Sequence, residues 1–273
     1  MQRALRFLAL VLPVALVTVP VALAGAEPSA ERSGSTPSGD RPLEASTSET
    51  IASTVREAQV AAVAATADAR RVPPAQIVRV RPGQTVALRA RPNGPIALSA
   101  GDTTEFGSHQ KFGVVRQHGR WLGVTAPALP NGRVGWVSRR SGSIAVERTH
   151  WSIRADVSRR QVVLKRDGKV VRRFGVAVGR PGSPTPTGRF AITDKIAGDR
   201  FGRYYGCCIL AISATQPKTP PGWTGGNRMA IHGTTDQGSI GAAASAGCLR
   251  AADADLRFLM NRAPVGTPVV IRP

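Results

Sequence analysis

Aromatic residues and lysine are scarce in this 273-residue chain, and both shortages narrow what it can be. Aromatic residues make up 5% of the sequence, against 29 glycines and 21 prolines. So many turn-forming residues favour short strands over long helices. The chain has only five lysines, so its formal charge of +20 is carried almost entirely by arginine. Its length suffices for one large domain or two small ones.

Cysteine is also scarce, since Cys207, Cys208 and Cys248 are the three in the chain. These and the four histidines have no metal-ligand spacing, so we expect neither a metal nor another cofactor. An odd number of cysteines leaves at least one thiol unpaired, which marks a candidate reactive site. Disulfide geometry rarely allows neighbouring cysteines to bond, so we expect Cys207 and Cys208 to be packing residues of an apolar strand.

The N-terminus has the pattern of a secretory signal. Arg3 and Arg6 precede an apolar run over residues 7–24, which ends in an Ala-Leu-Ala sequence. We interpret residues 1–24 as a signal peptide or, since the run nearly reaches membrane-spanning length, as an uncleaved membrane anchor. No cysteine follows the run, which argues against a lipoprotein anchor. We therefore expect an exported protein of the periplasm or cell-wall space. Its positive charge is expected to contact anionic wall polymers rather than nucleic acid.

Composition divides the remaining chain into three parts. Residues 25–74 are rich in Ser, Thr, Ala, Pro and Glu, and we interpret them as a disordered spacer with an Ala-rich second half. Residues 75–148 alternate apolar and polar residues between turn residues, which predicts a small β-barrel. Its predicted strands are 77–80, 86–88, 114–116, 121–124 and 133–137.

Residues 149–273 form the second predicted domain, which also consists mainly of strands. Asp167-Gly168 between two apolar segments predicts a hairpin. The one good helix candidate, residues 251–261, has apolar residues at helical spacing and two aspartates in its first turn. The predicted strands are 161–164, 169–171, 174–178, 189–193, 207–212, 229–232 and 269–271.

The clearest chemical signal is His232-Gly233 followed, after mostly small residues, by Ser245-Ala246-Gly247-Cys248-Leu249-Arg250. A thiol is a weak nucleophile until it loses its proton, and an imidazole can take that proton and return it to a leaving amine. We therefore predict Cys248 as nucleophile and His232 as base, with the N–H groups of Gly247 and Cys248 as an oxyanion hole. The positive end of the predicted helix would lie close to Cys248 and favour the thiolate.

Both predicted domains resemble known families. In residues 75–148, the Trp-Leu-x-Val, Asn-Gly and Gly-Trp-Val elements resemble bacterial SH3-like domains. In the second domain, the His–Cys segment, residues 185–190 and the Gly-Thr-Pro-Val sequence at 266–269 resemble the L,D-transpeptidases, with their YkuD-type catalytic domain. The resemblance implies a mainly β fold, with a small SH3-like β-barrel followed by an L,D-transpeptidase-type β-sandwich and one principal helix. Ala246 stands where that family usually has a histidine.

The resemblance also implies a reaction. Cys248 attacks the carbonyl of the third residue of a tetrapeptide stem, D-Ala leaves, and a thioester forms. The diaminopimelate amine of a second peptidoglycan stem then resolves the thioester into a 3→3 cross-link, whereas water as acceptor would give an L,D-carboxypeptidase. A backbone carbonyl, of Gly233 or Ser245, orients the base, and carbapenems are expected to acylate the cysteine.

Other interpretations stay open at this point. Arg250 either anchors a substrate carboxylate or pairs with Asp253 or Asp255. Sortases also carry His, Cys and Arg in this order, but with more chain between His and Cys and with Thr before the Cys. A catalytically silent protein that binds the wall through its β-barrel and charge is a further alternative, which an unreactive thiol at Cys248 would indicate.

Overall fold

The computed structural model describes residues 72–273 and, before them, Arg56 alone. The predicted signal segment and nearly all of the predicted spacer therefore lie outside the described residues. Residues 72–273 are mainly β and contain one α-helix, α1 (Asp253–Arg262). None of the helical segments in this range is long and apolar enough to cross a membrane.

The first part of the described chain is a seven-stranded antiparallel sheet in the order β3-β2-β6-β5-β4-β1-β7. The period-two pattern of residues 75–148 predicted most of these strands, and their inward side chains form one core that includes Phe112 and Leu122. The strands are β1 (Ala75–Val80), β2 (Val86–Arg89), β3 (Ile96–Ala100), β4 (Lys111–His118), β5 (Trp121–Val124), β6 (Gly135–Ser138) and β7 (Ile144–Thr149).

The second part is an eight-stranded mixed sheet in the order β10-β9-β8-β17-β12-β13-β14-β16, with a small parallel pair, β11 and β15, beside it. Its strands are β8 (Trp151–Asp156), β9 (Gln161–Arg166), β10 (Lys169–Gly175), β11 (Val178–Gly179), β12 (Gly188–Ala197), β13 (Cys208–Thr215), β14 (Arg228–His232), β15 (Ala243–Ser245), β16 (Leu249–Arg250) and β17 (Pro268–Arg272).

The hairpin predicted at Asp167-Gly168 is present. Strands β9 and β10 pair up to Arg166 and Lys169, which leaves the two predicted residues as the turn. Both have positive φ, 51° at Asp167 and 78° at Gly168. A two-residue turn with this backbone matches the twist of the strands that it joins, which is why Asp-Gly is a strong hairpin signal.

The strands at the centre of the second sheet bury one face and line a cavity with the other. In β13, Leu210 and Ile212 point into the main core, which also contains Leu256 and Leu259 of α1. The alternate residues of β13 and β14 point the other way and pack in a separate small cluster, which also receives the side chain of Cys248. This second face carries the candidate site.

The two sheets are joined by buried polar contacts. Asn131 lies in the loop between β5 and β6. It donates its Nδ2–H to the Thr215 carbonyl at 2.6 Å and accepts the Thr215 N–H at 3.0 Å. Ser213 of β13 donates to the Thr125 hydroxyl at 3.0 Å. Buried polar groups need partners, so these bonds fix the first sheet against the strand that leads to the site.

Cys207 and Cys208 form a disulfide with each other, so the expectation that they would only pack was wrong. The Cα atoms are 3.8 Å apart, below the usual range for disulfides. The bond lies where the chain enters β13, and the Cys207 sulfur is 3.5 Å from the Asp253 carbonyl at the start of α1. Cys248 is therefore the free cysteine.

This pairing predicts the result of a thiol titration. Denatured protein that has not been reduced should react as one thiol per chain, and protein reduced beforehand should react as three. Peptide mass mapping should place the alkylated residue of the unreduced sample at Cys248. Three reactive thiols before reduction would contradict the Cys207–Cys208 bond.

Candidate active site

A cavity of about 360 Å³ opens on the free face of β13 and β14. His232 lies at its edge as the last residue of β14, and Cys248 lies one residue before β16. The sequence predicted that these two side chains would meet, and the structure places both in the lining of this cavity.

The strand register explains why they share a face. Strands β14 and β16 are parallel, with Ile231 opposite Leu249 and His232 opposite Arg250. Because side chains alternate along a strand, Ile231 and Leu249 point together into the core, while His232, Cys248 and Arg250 belong to the opposite face. Two residues of β16 are enough to set this arrangement.

His232 is held as a neutral base. Its ring is 1% exposed, and its Nδ1 lies 2.6 Å from the Gly233 carbonyl. A carbonyl only accepts, so Nδ1 carries the hydrogen and Nε2 is left with its lone pair. Burial lowers the pKa of His232 to about 4. The charge of Arg250 also lowers this pKa, whereas the hydrogen bond to Gly233 raises it. Of the two predicted orienting carbonyls, Gly233 is the one in contact.

Two tyrosines that sequence reasoning missed cover the imidazole. The ring centroids of Tyr205 and Tyr204 lie 4.9 and 5.8 Å from that of His232. Both belong to a short segment of 3-10 turns between β12 and β13. Such a segment has no regular spacing of apolar residues by which it could be predicted. Its two adjacent tyrosines are the only ones in the chain, and this could have drawn attention to it.

Cys248 is half-buried and free. Burial raises the pKa of the Cys248 thiol. A hydrogen bond with the backbone of Ala230 and the charge of Arg250 lower this pKa, but by less. The helix α1 begins at Asp253 rather than at Ala251 as predicted, and its effect on the Cys248 thiol stays a prediction. With the pKa of Cys248 raised and that of His232 lowered, both groups are neutral near pH 7.

The turn that carries Cys248 is built by Ser245. Its hydroxyl donates to the Cys248 carbonyl at 2.6 Å and accepts the Gly247 N–H at 3.0 Å. The Gly247 N–H is thus already used, so the prediction that it contributes to an oxyanion hole is wrong. Of the two predicted donors, the N–H of Cys248 is the one that remains.

Two further side chains hold the same turn. The Thr185 hydroxyl donates to the Gly247 carbonyl at 2.7 Å and accepts the Gly179 N–H, which gives the Thr-Pro-Thr segment a structural role. Gln216 donates to the carbonyls of Ala246 and Pro184, at 2.9 and 3.0 Å.

The backbone conformation and the close packing at position 247 both require glycine. Its φ of +122° is rare for residues with a side chain, and an added Cβ would lie 2.1 Å from the Gln216 Nε2. The small residue before Cys248 therefore serves backbone packing in this turn.

Arg250 makes neither of the ion pairs considered from the sequence. Its guanidinium donates to the Tyr204 hydroxyl, lies 4.8 Å from the centroid of that ring, and is 4.0 Å from the Asp236 carboxylate. Asp255 instead pairs with Arg172 at 2.6 Å. Arg250 is 8% exposed, and its Nε is buried without a hydrogen-bond partner among the described residues. The side chain thus retains an unused donor near the cavity.

The pKa directions predict how the reactivity of Cys248 changes with pH. Because burial raises the pKa of Cys248, alkylation by iodoacetamide should still accelerate above about pH 9.5, where an ordinary cysteine with a pKa near 8.5 is already levelling off. His232 should lose its function as base only near its pKa of about 4, since it is neutral above that value. Stopped-flow alkylation against pH measures the first effect. A plateau below about pH 8 would contradict it.

A neutral imidazole with an oriented tautomer shares a cavity with a free thiol, which defines a candidate cysteine–histidine site. Residues 150–271 match the model of the YkuD family, the L,D-transpeptidase catalytic domain. The matched residues are fewer than half of the chain.

The chain is also similar to proteins that are named as L,D-transpeptidases. YkuD of Bacillus subtilis is 30% identical over 123 residues, which are 44% of this chain and 65% of that protein. YqjB of the same organism is 32% identical over 114 residues, 38% of this chain and 61% of that protein. The chain thus spans just under two thirds of these relatives. The structure of an L,D-transpeptidase from Mycobacterium smegmatis matches 74% of this chain and all of that chain, with 16% identity and a TM-score of 0.40.

Proposed function

We propose that the protein is a peptidoglycan L,D-transpeptidase that forms 3→3 cross-links through a thioester on Cys248. The observation that carries the proposal is the bond from His232 Nδ1 to the Gly233 carbonyl. It leaves Nε2 free to accept a proton, in the cavity that also contains the thiol. This geometry lies within the region that matches the L,D-transpeptidase catalytic domain.

The first half-reaction needs one proton carrier. As Cys248 attacks the carbonyl of the third stem residue, its proton moves to Nε2 of His232, and a tetrahedral oxyanion forms. The N–H of Cys248 is the donor left for that oxyanion, since Gly247 is engaged with Ser245. The intermediate collapses to a thioester when His232 returns the proton to the amine of the leaving D-Ala.

The second half-reaction runs the same steps with a new nucleophile. The side-chain amine of diaminopimelate in a second stem attacks the thioester, His232 takes up its proton, and the Cys248 sulfur leaves as the thiol. Water in place of the amine would release a tripeptide and make the enzyme an L,D-carboxypeptidase. Arg250 is the candidate anchor for a substrate carboxylate because it lines a second opening together with Tyr204 and Ala246, which also line the cavity of Cys248.

The rest of the chain fits a role at the cell wall. The first sheet is proposed to be an SH3-like module within residues 75–148, after a signal or anchor at 1–24 and a spacer at 25–74. A net charge of +20 favours contact with anionic wall polymers outside the membrane. As a further part of the proposal, carbapenems acylate Cys248.

Incubation with a purified tetrapeptide muropeptide, followed by mass spectrometry, tests the reaction. A cross-linked dimer with released D-Ala is the expected result, whereas monomeric tripeptide would indicate hydrolysis. If neither product forms, while the Cys248→Ala variant binds cell wall as well as the wild type, the protein is a silent wall-binding protein and the proposal fails. Intact mass after incubation with a carbapenem checks acylation separately.

A further inference from the structure

A loop of the first sheet forms part of the cavity that contains Cys248. The 102–108 loop, residues 102–108 between β3 and β4, places Phe106 and Glu105 in the lining of this cavity. Phe106 packs on the same small apolar cluster as Cys248, together with Ala211 and Ala230 of the central strands.

The 102–108 loop is anchored by a charge pair of the second domain. Asp194 of β12 is fully buried, and its Oδ1 accepts the hydroxyl of Thr104. Its Oδ2 lies 3.8 Å from the guanidinium of Arg228, the first residue of β14. Arg228 in turn donates to the Glu105 carboxylate. A buried carboxylate and a buried guanidinium need partners, and residues 104 and 105 of the loop provide them.

These anchors fix the ring of Phe106. The Arg228 guanidinium lies 5.4 Å from the centroid of the Phe106 ring, within the range of a cation–π contact. On its other side the ring meets Phe201 edge-on at 5.9 Å between centroids. Arg200, next to Phe201, donates to the Phe106 carbonyl at 3.1 Å. The ring is thus held between β14, which ends in His232, and the segment that carries Tyr204 and Tyr205.

We propose that Phe106 is a specificity-determining residue of the candidate active site, supplied by the first domain. With Phe201 and Trp223 it contributes aromatic rings to the lining of the cavity. Such a surface suits the aliphatic part of a peptide stem, which is the methylene chain of its third residue. The charged groups of that residue would contact Arg250 and solvent. The inference rests on the proposed function, and it makes the first domain part of substrate selection.

Steady-state kinetics on the tetrapeptide stem test the role of Phe106. Phe106 contacts no reacting atom, so Phe106→Ala should raise KM roughly 10- to 100-fold and change kcat much less. Phe106→Leu, which keeps an apolar side chain, should recover most of the affinity. Glu105→Gln should move KM in the same direction, because it weakens the anchor of the loop at an exposed position where folding is not at risk.

A matched control and a second readout separate a specific effect from damage. His109→Ala changes an exposed side chain next to the 102–108 loop that does not line the cavity, and it should leave KM as in the wild type. The second readout is the ratio of Cys248 alkylation rates with N-phenylmaleimide and with iodoacetamide, which needs no peptidoglycan. Phe106→Ala should lower this ratio, because it removes an aromatic surface on which the phenyl group of the first reagent packs.

The two proposals fail in different ways. If the wild type releases D-Ala and Phe106→Ala has an unchanged KM, this inference is overturned and the proposed function stands. If the wild type has no activity on stems, the proposed function fails, and the alkylation ratio alone decides whether Phe106 lines the approach to Cys248. An unchanged ratio in Phe106→Ala would overturn the inference in that case too.

Discussion

Cys248→Ala is expected to abolish D-Ala release from a tetrapeptide stem, with a loss on the order of 10⁶-fold in kcat. Removal of a covalent nucleophile has this effect because the remaining groups bind and polarise the substrate but cannot form the intermediate. The neighbouring hydroxyl of Ser245 cannot replace the thiol, since it donates to the Cys248 carbonyl and is itself buried. Release of D-Ala by liquid chromatography coupled to mass spectrometry measures the loss.

The control for this prediction comes from the other two cysteines. A double variant with alanine at Cys207 and Cys208 removes the disulfide but leaves the nucleophile, and it should still release D-Ala. Thermal unfolding of Cys248→Ala should resemble that of the wild type, because one sulfur is lost from a half-buried site. Turnover by Cys248→Ala at a few per cent of the wild-type rate would mean that another group attacks.

The strands were predictable where burial on one face imposes a period of two. This holds for β2 and β6, where buried and half-buried residues alternate. It fails for β16, since two residues are too few to show any period. Yet β16 decides the face on which Cys248 lies, so the sequence motif located the candidate nucleophile without explaining its placement.

The main partners within the site were predictable only as residue types. The motif named His232, Ser245, Gly247 and Cys248, and all four lie in or directly beside the cavity. Their hydrogen bonds depend on side-chain rotamers and on burial, which spacing does not contain. The direction of the Cys248 pKa shift is an example, because the proximity of a helix is visible in sequence and the desolvation of a thiol is not.

The sequence did not predict that the first domain contributes residues to the cavity, because the contacting residues are far apart in the chain. Glu105 and Arg228 are 123 positions apart and belong to different predicted domains. A charged residue beside an aromatic one in a polar loop looks like any solvated turn. Only the packing of the two sheets reveals that Phe106 shares a cluster with Cys248.

His232→Gln is expected to lower kcat/KM for D-Ala release by roughly 10²- to 10⁴-fold, the usual contribution of a general base. The buried glutamine amide can replace the hydrogen bond to the Gly233 carbonyl but cannot accept the thiol proton. His150→Gln is the matched control, because that ring is exposed and pairs with Asp167 on the surface, so it should keep full activity. Both variants are measured on the same tetrapeptide stem.

The pH profile distinguishes loss of a base from loss of structure. In the wild type, protonation of His232 at its pKa of about 4 should produce the acid limb of kcat/KM. In His232→Gln that limb should disappear, and residual activity should rise with pH as hydroxide or solvent deprotonates the Cys248 thiol, whose pKa burial has raised. Alkylation of Cys248 in this variant should approach the wild-type rate at high pH, where no base is needed. An unaltered acid limb, or activity within a fewfold of wild type, would assign the base to another residue.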